Sequence, residues 1–454
     1  MADITRPEEH GRERLSPTAR NASLGAFLGL AVDFYDIYLP VVALTPALAY
    51  FEPATLPTAT KATLAAVVFA VTLFGRPIGS VIFGHFGDVI GRKRTTMIAV
   101  GGFGVMTLLI AILPGYQLWG YGAIVLLIIL RLLDGIFMGG EYTSANPLAM
   151  EYCPKHLRGL VGGIIQAAYP VGYIVILLVT SATFVIAPAS GGGHAPYVQW
   201  GWRIPFGIGA ILAGLFLIYY WRTVSESKVW EEAAQESKVT APLKDLFSGD
   251  SLRNLAQVFL LMTGMWFGVQ AAISFPPVLL ETIFKLPPAA VTQGSLVAYV
   301  VLLISYIIVA QLGQMFGRRL MFIISGCWTV VLCPIVYYLL IQNGLSKGPI
   351  VLTILLFTIL LALAIAPWGL VTSYITERFA TGIRASGYGI GYSLAVIIPS
   401  FYTFYQLGLS KLMPYDYTMM VLVVLAGVLV IIGALIGPET RDVDMHAVGV
   451  QESG

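Results

Sequence analysis

The chain has 454 residues, 57% of them hydrophobic, and only 11% carry charge, less than half the share of an ordinary soluble domain. With 48 glycines, a mean hydropathy of +0.82 and a formal net charge of +2, it is neither a disordered polymer nor a nucleic-acid binder, for no broad basic surface is available. Three cysteines, Cys153, Cys327 and Cys333, are too few for a disulfide framework or a four-ligand zinc site, and the two inside an apolar run read as small buried hydrophobes.

The first 21 residues mix Arg6, Glu8, Glu9, Arg12, Glu13, Arg14 and Arg20 with Pro7 and Pro17, and are expected to form a tail with no cleaved signal peptide. Apolar runs long enough to span a bilayer core of ~30 Å as helix then follow. They lie at about 22–48, 61–86, 95–114, 119–145, 158–187, 203–223, 254–281, 289–316, 320–341, 349–376, 385–410 and 417–437. The fold class expected is an all-α polytopic membrane protein with 12 transmembrane helices in two six-helix bundles. The bundles are placed at 22–223 and 254–437, joined by a charged linker at 224–253 and followed by a tail at 438–454.

Lys and Arg set the orientation. With the N-terminus in the cytoplasm, 19 of the 26 basic residues fall on cytoplasmic segments, five on outer segments and two, Arg76 and Arg131, within spans. Both termini are therefore expected in the cytoplasm, and short loops point to a prokaryotic inner membrane.

The two halves carry the same signals at one offset. After span two the chain reads Gly84-His-Phe-Gly-Asp88-Val-Ile-Gly91-Arg92-Lys93-Arg94, and after span eight Ala310-Gln-Leu-Gly-Gln314-Met-Phe-Gly317-Arg318-Arg319. Gly91 and Gly317 lie 226 positions apart, and so do Arg92 and Arg318, Glu151 and Glu377, and Arg158 and Arg384. Shared offsets at separated sites indicate a duplicated six-plus-six bundle, a common plan among transporters.

The segment from Gly84 to Arg94 resembles the signature between helices two and three of the major facilitator superfamily. Arg131-Leu-Leu-Asp-Gly135, Gly139-Gly-Glu141 and the stretch Glu151 to Gly159 resemble its metabolite:proton symporter branch, as do Gly201 to Phe206, Arg384 to Gly387 and Pro438-Glu-Thr-Arg441. The resemblance spans about residues 22 to 444. It implies two bundles around a central cavity lined by spans one and four, alternating access, and proton-coupled uptake of small organic acids, zwitterions or related metabolites. Gly84, Asp88, Gly91, Arg92, Glu151, Arg158, Glu377 and Arg384 are the expected conformational signature. Val89 stands where the signature often has Arg, and Gln314 where the second copy could have Asp, so a weaker charge lock is expected in the C-terminal half.

Ionisable groups in mid-bilayer are functional candidates because they are costly to place there. Asp33 and Asp36 share one face of span one; Arg131, Asp134 and Glu141 share one face of span four. These five are the expected proton-coupling residues, with Arg131 pairing with Asp33 or Asp134 when the site is empty. Arg76, beside Pro77, reads as a partner for carbonyls freed by the proline. No histidine falls near the midplane, since His10, His85, His156, His194 and His446 sit in loops, tails or at a helix end.

Substrate contacts are expected from Arg131, Gln166, Tyr169, Trp266, Gln270, Trp368 and Tyr392, with Tyr173, Ser274 and Tyr306 as further polar or aromatic candidates. Tyr392 is the 226-offset counterpart of Gln166. Partners are expected to be a small metabolite, protons and the lipid bilayer, with no nucleic acid and no cofactor beyond the proton gradient, and the chain is expected as a monomer. No P-loop, nucleophile triad or metal cluster is visible, so the chain does not read as an enzyme. A sensor would need an output domain and a channel a continuous polar pore. The leading expectation is a symporter importing a small carboxylate; a symporter of a zwitterion or quaternary amine, and a uniporter or proton antiporter of organic anions, remain alternatives.

Overall fold

The structure is a computed structural model that describes residues 14–53, 55–56, 58–190, 192–236 and 242–445. The tail groups Arg6, Arg12, His10 and His446, and Lys238 of the linker, lie outside the described residues. Among the described residues, eleven helices are long and apolar enough to cross a membrane. In chain order they are α1 (Pro17–Tyr50), α2 (Val67–Val89), α3 (Arg92–Ala111), α4 (Tyr121–Tyr152), α5 (Lys155–Ile186) and α6 (Tyr197–Thr223). A second set follows: α7 (Gly249–Glu281), α8 (Ala290–Phe316), α9 (Arg318–Leu345), α10 (Ile350–Glu377) and, after a gap, α12 (Tyr415–Ile436).

The span expected at 385–410 fills that gap as α11, a broken run of short helical pieces: Arg384–Ser393, Leu394–Val396, Ile397–Ser400 and Tyr402–Leu409. Its composition explains the breaks. Pro399 has no amide hydrogen to donate, and Gly389 and Gly391 stand where a side chain would meet Thr143 Oγ1 at 2.5 Å and Val258 Cγ1 at 2.8 Å. The glycines let α11 press directly against α4 and α7. This is a helix shaped by what it must approach, so its hydropathy is low for a span.

Packing divides the spans into two bundles. In the first, α2 and α3 lie along α4, α3 along α6, and α1 against α4, α5 and α6; in the second, α7 and α9 lie along α12, and α8 and α9 along α10. The bundles meet through α2 against α11 and α5 against α8, two pairings related by the 226-residue offset. Several spans are interrupted near their middles by tight or wide helical turns: Leu39–Leu44 in α1, Gln270–Ser274 in α7, Ala366–Leu370 in α10. Pro40 and Pro367 lie in two of these turns. Such irregular backbone is tolerated at membrane depth where it is enclosed by protein. Cys333 is buried as expected, but Cys327 is exposed on the outer side of α9, where lipid satisfies an apolar side chain as well as a protein core would.

The two signature turns are built alike. Gly91 has φ +104° and ψ 156°, and Gly317 has φ +108° and ψ 141°, and each precedes the first residue of a helix, α3 or α9. This is a backbone region essentially reserved for glycine. A glutamate from elsewhere caps each helix: Glu226 accepts from the amides of Arg92 and Lys93, and Glu439 from those of Arg318 and Arg319. Gly91→Ala and Gly317→Ala should each destabilise the protein by about 1–3 kcal/mol, because a methyl group would add a clash with the capping carboxylate to the backbone strain. The check is thermal unfolding in detergent, with Gly101→Ala, where space is available, as the silent control.

Candidate functional site

The midplane charges of the first bundle form two clusters. In one, the Arg131 guanidinium lies 2.8 Å from Asp36 Oδ1 and 2.9 Å from Asp134 Oδ2, and its Nε donates to Thr72 Oγ1 at 3.0 Å. Thr107 donates its hydroxyl to the second oxygen of Asp36. In the other, Arg76 Nη2 lies 3.1 Å from Asp33 Oδ2. Of the two partners expected for Arg131, Asp134 is in place and Asp33 is not: Arg131 takes Asp36 and Asp134, and Asp33 takes Arg76. The reason is helical phase, for Asp33 and Asp36 are about 60° apart around α1 and face different neighbours, α2 and α4. Arg76 therefore serves a carboxylate in place of the carbonyls expected near Pro77.

Glu141 is fully buried, and neither of its carboxyl oxygens has a hydrogen-bond partner. Its carboxyl group fills the space left at Gly29 of α1, where the Phe216 ring of α6 also packs.

Between the bundles lies a partly open cavity. Five of the residues expected to contact substrate line it: Gln166, Tyr169, Trp266, Trp368 and Tyr392, together with Tyr306. Sequence reasoning missed Phe34 and Tyr38, which stand beside Tyr169 on the first-bundle wall. Their signal was present, since Phe34 and Tyr38 are four apart and flank Asp36 on α1. Gln270 is buried but outside the lining: the helix is regular from Trp266 to Gln270, and the wall follows the face of Trp266, Val269 and Ile273, with Gln270 to one side of it. Arg131 is also outside the lining, held by its two aspartates. Tyr173 stacks on Tyr299 at 4.2 Å, and Tyr169 donates to or accepts from the Tyr299 hydroxyl at 3.0 Å, so these rings form a second layer behind the wall.

The lining is ordered by specific bonds. Trp266 donates its indole N–H to the carbonyl of Tyr392 at 2.8 Å and meets Trp368 edge-on at 4.8 Å. By contrast, Trp368 Nε1 and Gln166 Nε2 are buried and have no hydrogen-bond partner. The Arg76 guanidinium lies over the Tyr142 ring at 4.8 Å, and that ring packs on Tyr392 at 4.9 Å. The Asp33–Arg76 cluster is therefore one ring away from the cavity wall, whereas the Arg131 cluster is not.

At the face where the chain ends emerge, the signature residues converge. Arg92 lies 3.0 Å from Asp88 and 3.5 Å from Glu151, and Arg384 of the other bundle reaches the same Glu151 oxygen at 2.7 Å. The counterpart is built by the 226 offset: Arg318 lies 3.0 Å from Glu377, and Arg158 of the first bundle is 3.9 Å from it. Asp88 also accepts from the amides of Ala385 and Ser386, at the start of α11, at 3.0 and 2.9 Å. Gln314, expected to weaken the second copy, accepts from the Gly159 amide at 2.8 Å, at the matching start of α5. An amide oxygen performs this hydrogen bond as a carboxylate would, though without the charge. Gly84 lets α2 approach α11, where an added side chain would come 2.9 Å from Ser386 Cα.

Removing one partner of a buried ion pair costs about 3–5 kcal/mol, since the other charge is left without compensation. Glu151→Gln strips a carboxylate from two arginines of different bundles and should shift the protein toward states in which this face is open. In a chain with Cys327 and Cys333 replaced by serine, alkylation of the buried Cys153 should accelerate by about tenfold or more. An unchanged rate would show that the face is held shut by other contacts.

Residues 26–395 match the family model described as Major Facilitator Superfamily. The shikimate transporter of Escherichia coli K12 is 30% identical over 409 residues, covering 88% of this chain and 89% of that protein. The inner membrane metabolite transport protein YhjE of the same organism is 29% identical over 399 residues, covering 86% and 88%. Among solved structures, the proton:xylose symporter XylE from E. coli, bound to 6-bromo-6-deoxy-D-glucose, superposes with a TM-score of 0.73 at 20% identity over 95% of this chain and 98% of that one. With its paired bundles, duplicated signature and central cavity, the chain belongs to the major facilitator superfamily, as an integral membrane transporter of small metabolites and not an enzyme.

Proposed function

We propose that this transporter is a proton-coupled symporter that imports a small organic acid by alternating access, with the carboxylate held in the cavity between the bundles. The polarity of the cavity carries this reading. Its unpartnered buried polar atoms, Trp368 Nε1 and Gln166 Nε2, are both donors, and its lining contains no Asp or Glu among the described residues. A buried donor without an acceptor costs about 1–3 kcal/mol, so the matching ligand brings acceptor oxygens. A carboxylate brings two, and the aromatic walls suit a flat or apolar body. One of the E. coli relatives is named for shikimate, a carboxylate.

Proton coupling follows from charge balance. Asp33, Asp36, Asp134 and Glu141 are four acids against two bases, Arg76 and Arg131, all buried, so full ionisation would leave two uncompensated negative charges. Protonation of Asp33 frees Arg76, the guanidinium nearest the cavity, to attract an anion. Arg76 replaces Arg131 as the cationic contact on this reading. The 19-to-5 distribution of basic residues makes the face with the chain ends cytoplasmic in a prokaryotic inner membrane, and the chain works as a monomer. A second reading, a zwitterion with a quaternary amine, is favoured by the seven aromatic rings of the lining, which can hold such a cation.

The test is proton movement in liposomes carrying an internal pH dye, challenged with monocarboxylates, dicarboxylates, hydroxyaromatic acids and betaines. One carboxylate should drive internal acidification, Asp33→Asn should abolish it, and Arg76→Lys should raise KM by about tenfold, equal to about 1.4 kcal/mol. Retained proton-driven accumulation in both Asp33→Asn and Asp36→Asn would remove the coupling role from α1, and a response to betaines alone would select the second reading.

A further inference from the structure

We propose that Glu141 is a proton-relay residue that connects Asp33 at mid-membrane to the face carrying the chain ends, along a column between α1, α4 and α6 separate from the substrate cavity. The proposal rests on the symport reading and adds the route the proton takes.

The column is written in α1. Asn21, Gly25, Gly29 and Asp33 recur every four residues, a row that turns about 40° around the helix at each step and rises roughly 6 Å. The two glycines make room for polar groups from other helices. At Gly29 an added Cβ would lie 2.1 Å from Glu141 Oε1, and at Gly25 it would lie 2.9 Å from the Tyr220 ring. Asp33, Glu141 and Tyr220 thus descend as successive rungs. At the lower end Asn21, partly exposed, donates to the Thr223 carbonyl at 3.3 Å, while Tyr219 donates its hydroxyl to the Asn21 carbonyl at 3.2 Å.

Each rung has unused hydrogen-bonding capacity. Asp33 Oδ1 and both Glu141 carboxyl oxygens are buried and without a hydrogen-bond partner, and the Tyr220 hydroxyl, also buried, has the Thr96 hydroxyl of α3 beside it. Fixed packing has no use for three such oxygens on two neighbouring carboxyl groups, whereas a proton path requires them. The groups acting on Glu141 from its surroundings are Asp33 on α1, Arg76 on α2, Tyr220 on α6 and Tyr388 on α11. None of them bonds it, so an ionised carboxylate there would be uncompensated, and Glu141 holds a proton in this state. No residue of the column below Asp33 lines the substrate cavity.

The transfer is a simple exchange. The Glu141 carboxylic acid gives its proton to a water molecule beside the Tyr220 hydroxyl, and the resulting carboxylate takes the proton of Asp33 through one intervening water. Asp33 ends ionised and closes on Arg76, and one proton has moved toward the chain-end face.

The experiment uses the reconstituted full chain and whichever carboxylate of the panel gives the largest proton signal. Glu141→Gln should keep substrate exchange without a proton gradient, yet lose about tenfold or more of proton-driven accumulation, with Glu141→Asp restoring part of it. Tyr220→Phe keeps the ring against Gly25 and removes only the hydroxyl; it should show the same split between exchange and accumulation, and it decides the question if Glu141→Gln fails to fold. Exchange and accumulation both equal to wild type in either variant would overturn the relay while leaving symport intact. A wild-type protein that moves no proton with any carboxylate would overturn both.

Discussion

A guanidinium cannot be taken out of water alone, and this bundle is arranged around that constraint. Arg76, Arg131, Arg92, Arg318 and Arg384 are buried, and each meets a carboxylate from another helix. Because desolvation of such pairs offsets much of their Coulomb attraction, they contribute less to net stability than to selecting one arrangement over others. An interaction that is expensive to break yet nearly neutral when formed suits a protein that must exchange one set of pairs for another.

The two ends of the molecule use this property differently. At the chain-end face the pairs cross between bundles: Glu151 is shared by Arg92 and Arg384, and Glu377 by Arg318 and Arg158. Because the pairs cross between bundles, moving one bundle away from the other would break them together. The helix-start contacts of Asp88 and Gln314 follow the same crossed pattern, which explains how the second copy works without its aspartate. At the midplane the pairs stay within the first bundle and bridge α1 to α2 and α4. On the proposed symport reading they can alter with protonation while the bundle itself remains intact.

The cavity adds the reason for asymmetry between the bundles. Its first-bundle wall, with Phe34, Tyr38, Gln166 and Tyr169, lies close to the Asp33–Arg76 pair, whereas its second-bundle wall, with Trp266, Tyr306, Trp368 and Tyr392 among aliphatic side chains, brings no charge. One half handles charge and the other supplies shape. Donors from both halves point into the same space, so a ligand that satisfies Gln166 and Trp368 together also ties the bundles to each other.

The sequence by itself determined the span count, the two bundles, the offset of 226 and most of the cavity lining. These follow from length of apolar run, charge bias and helical periodicity, which are local properties read along one chain. It also located the signature residues, since a duplicated motif is visible by subtraction. Tertiary structure alone decided which charge meets which. Arg76 belongs to Asp33, not to a proline turn, because helical phase turns Asp33 toward α2 and Asp36 toward α4. Gln270 leaves the cavity because the wall follows the face of Trp266, Val269 and Ile273, and Gln270 stands to one side of that face. Glu226 and Glu439 cap matching helices without sharing the 226 offset, so no subtraction could pair them. Glu141 and Tyr220 lie on helices distant in sequence, and only the glycines of α1 bring them into one column. Pairing depends on the rotation of each helix about its axis, which a hydropathy pattern leaves free until neighbouring helices pack.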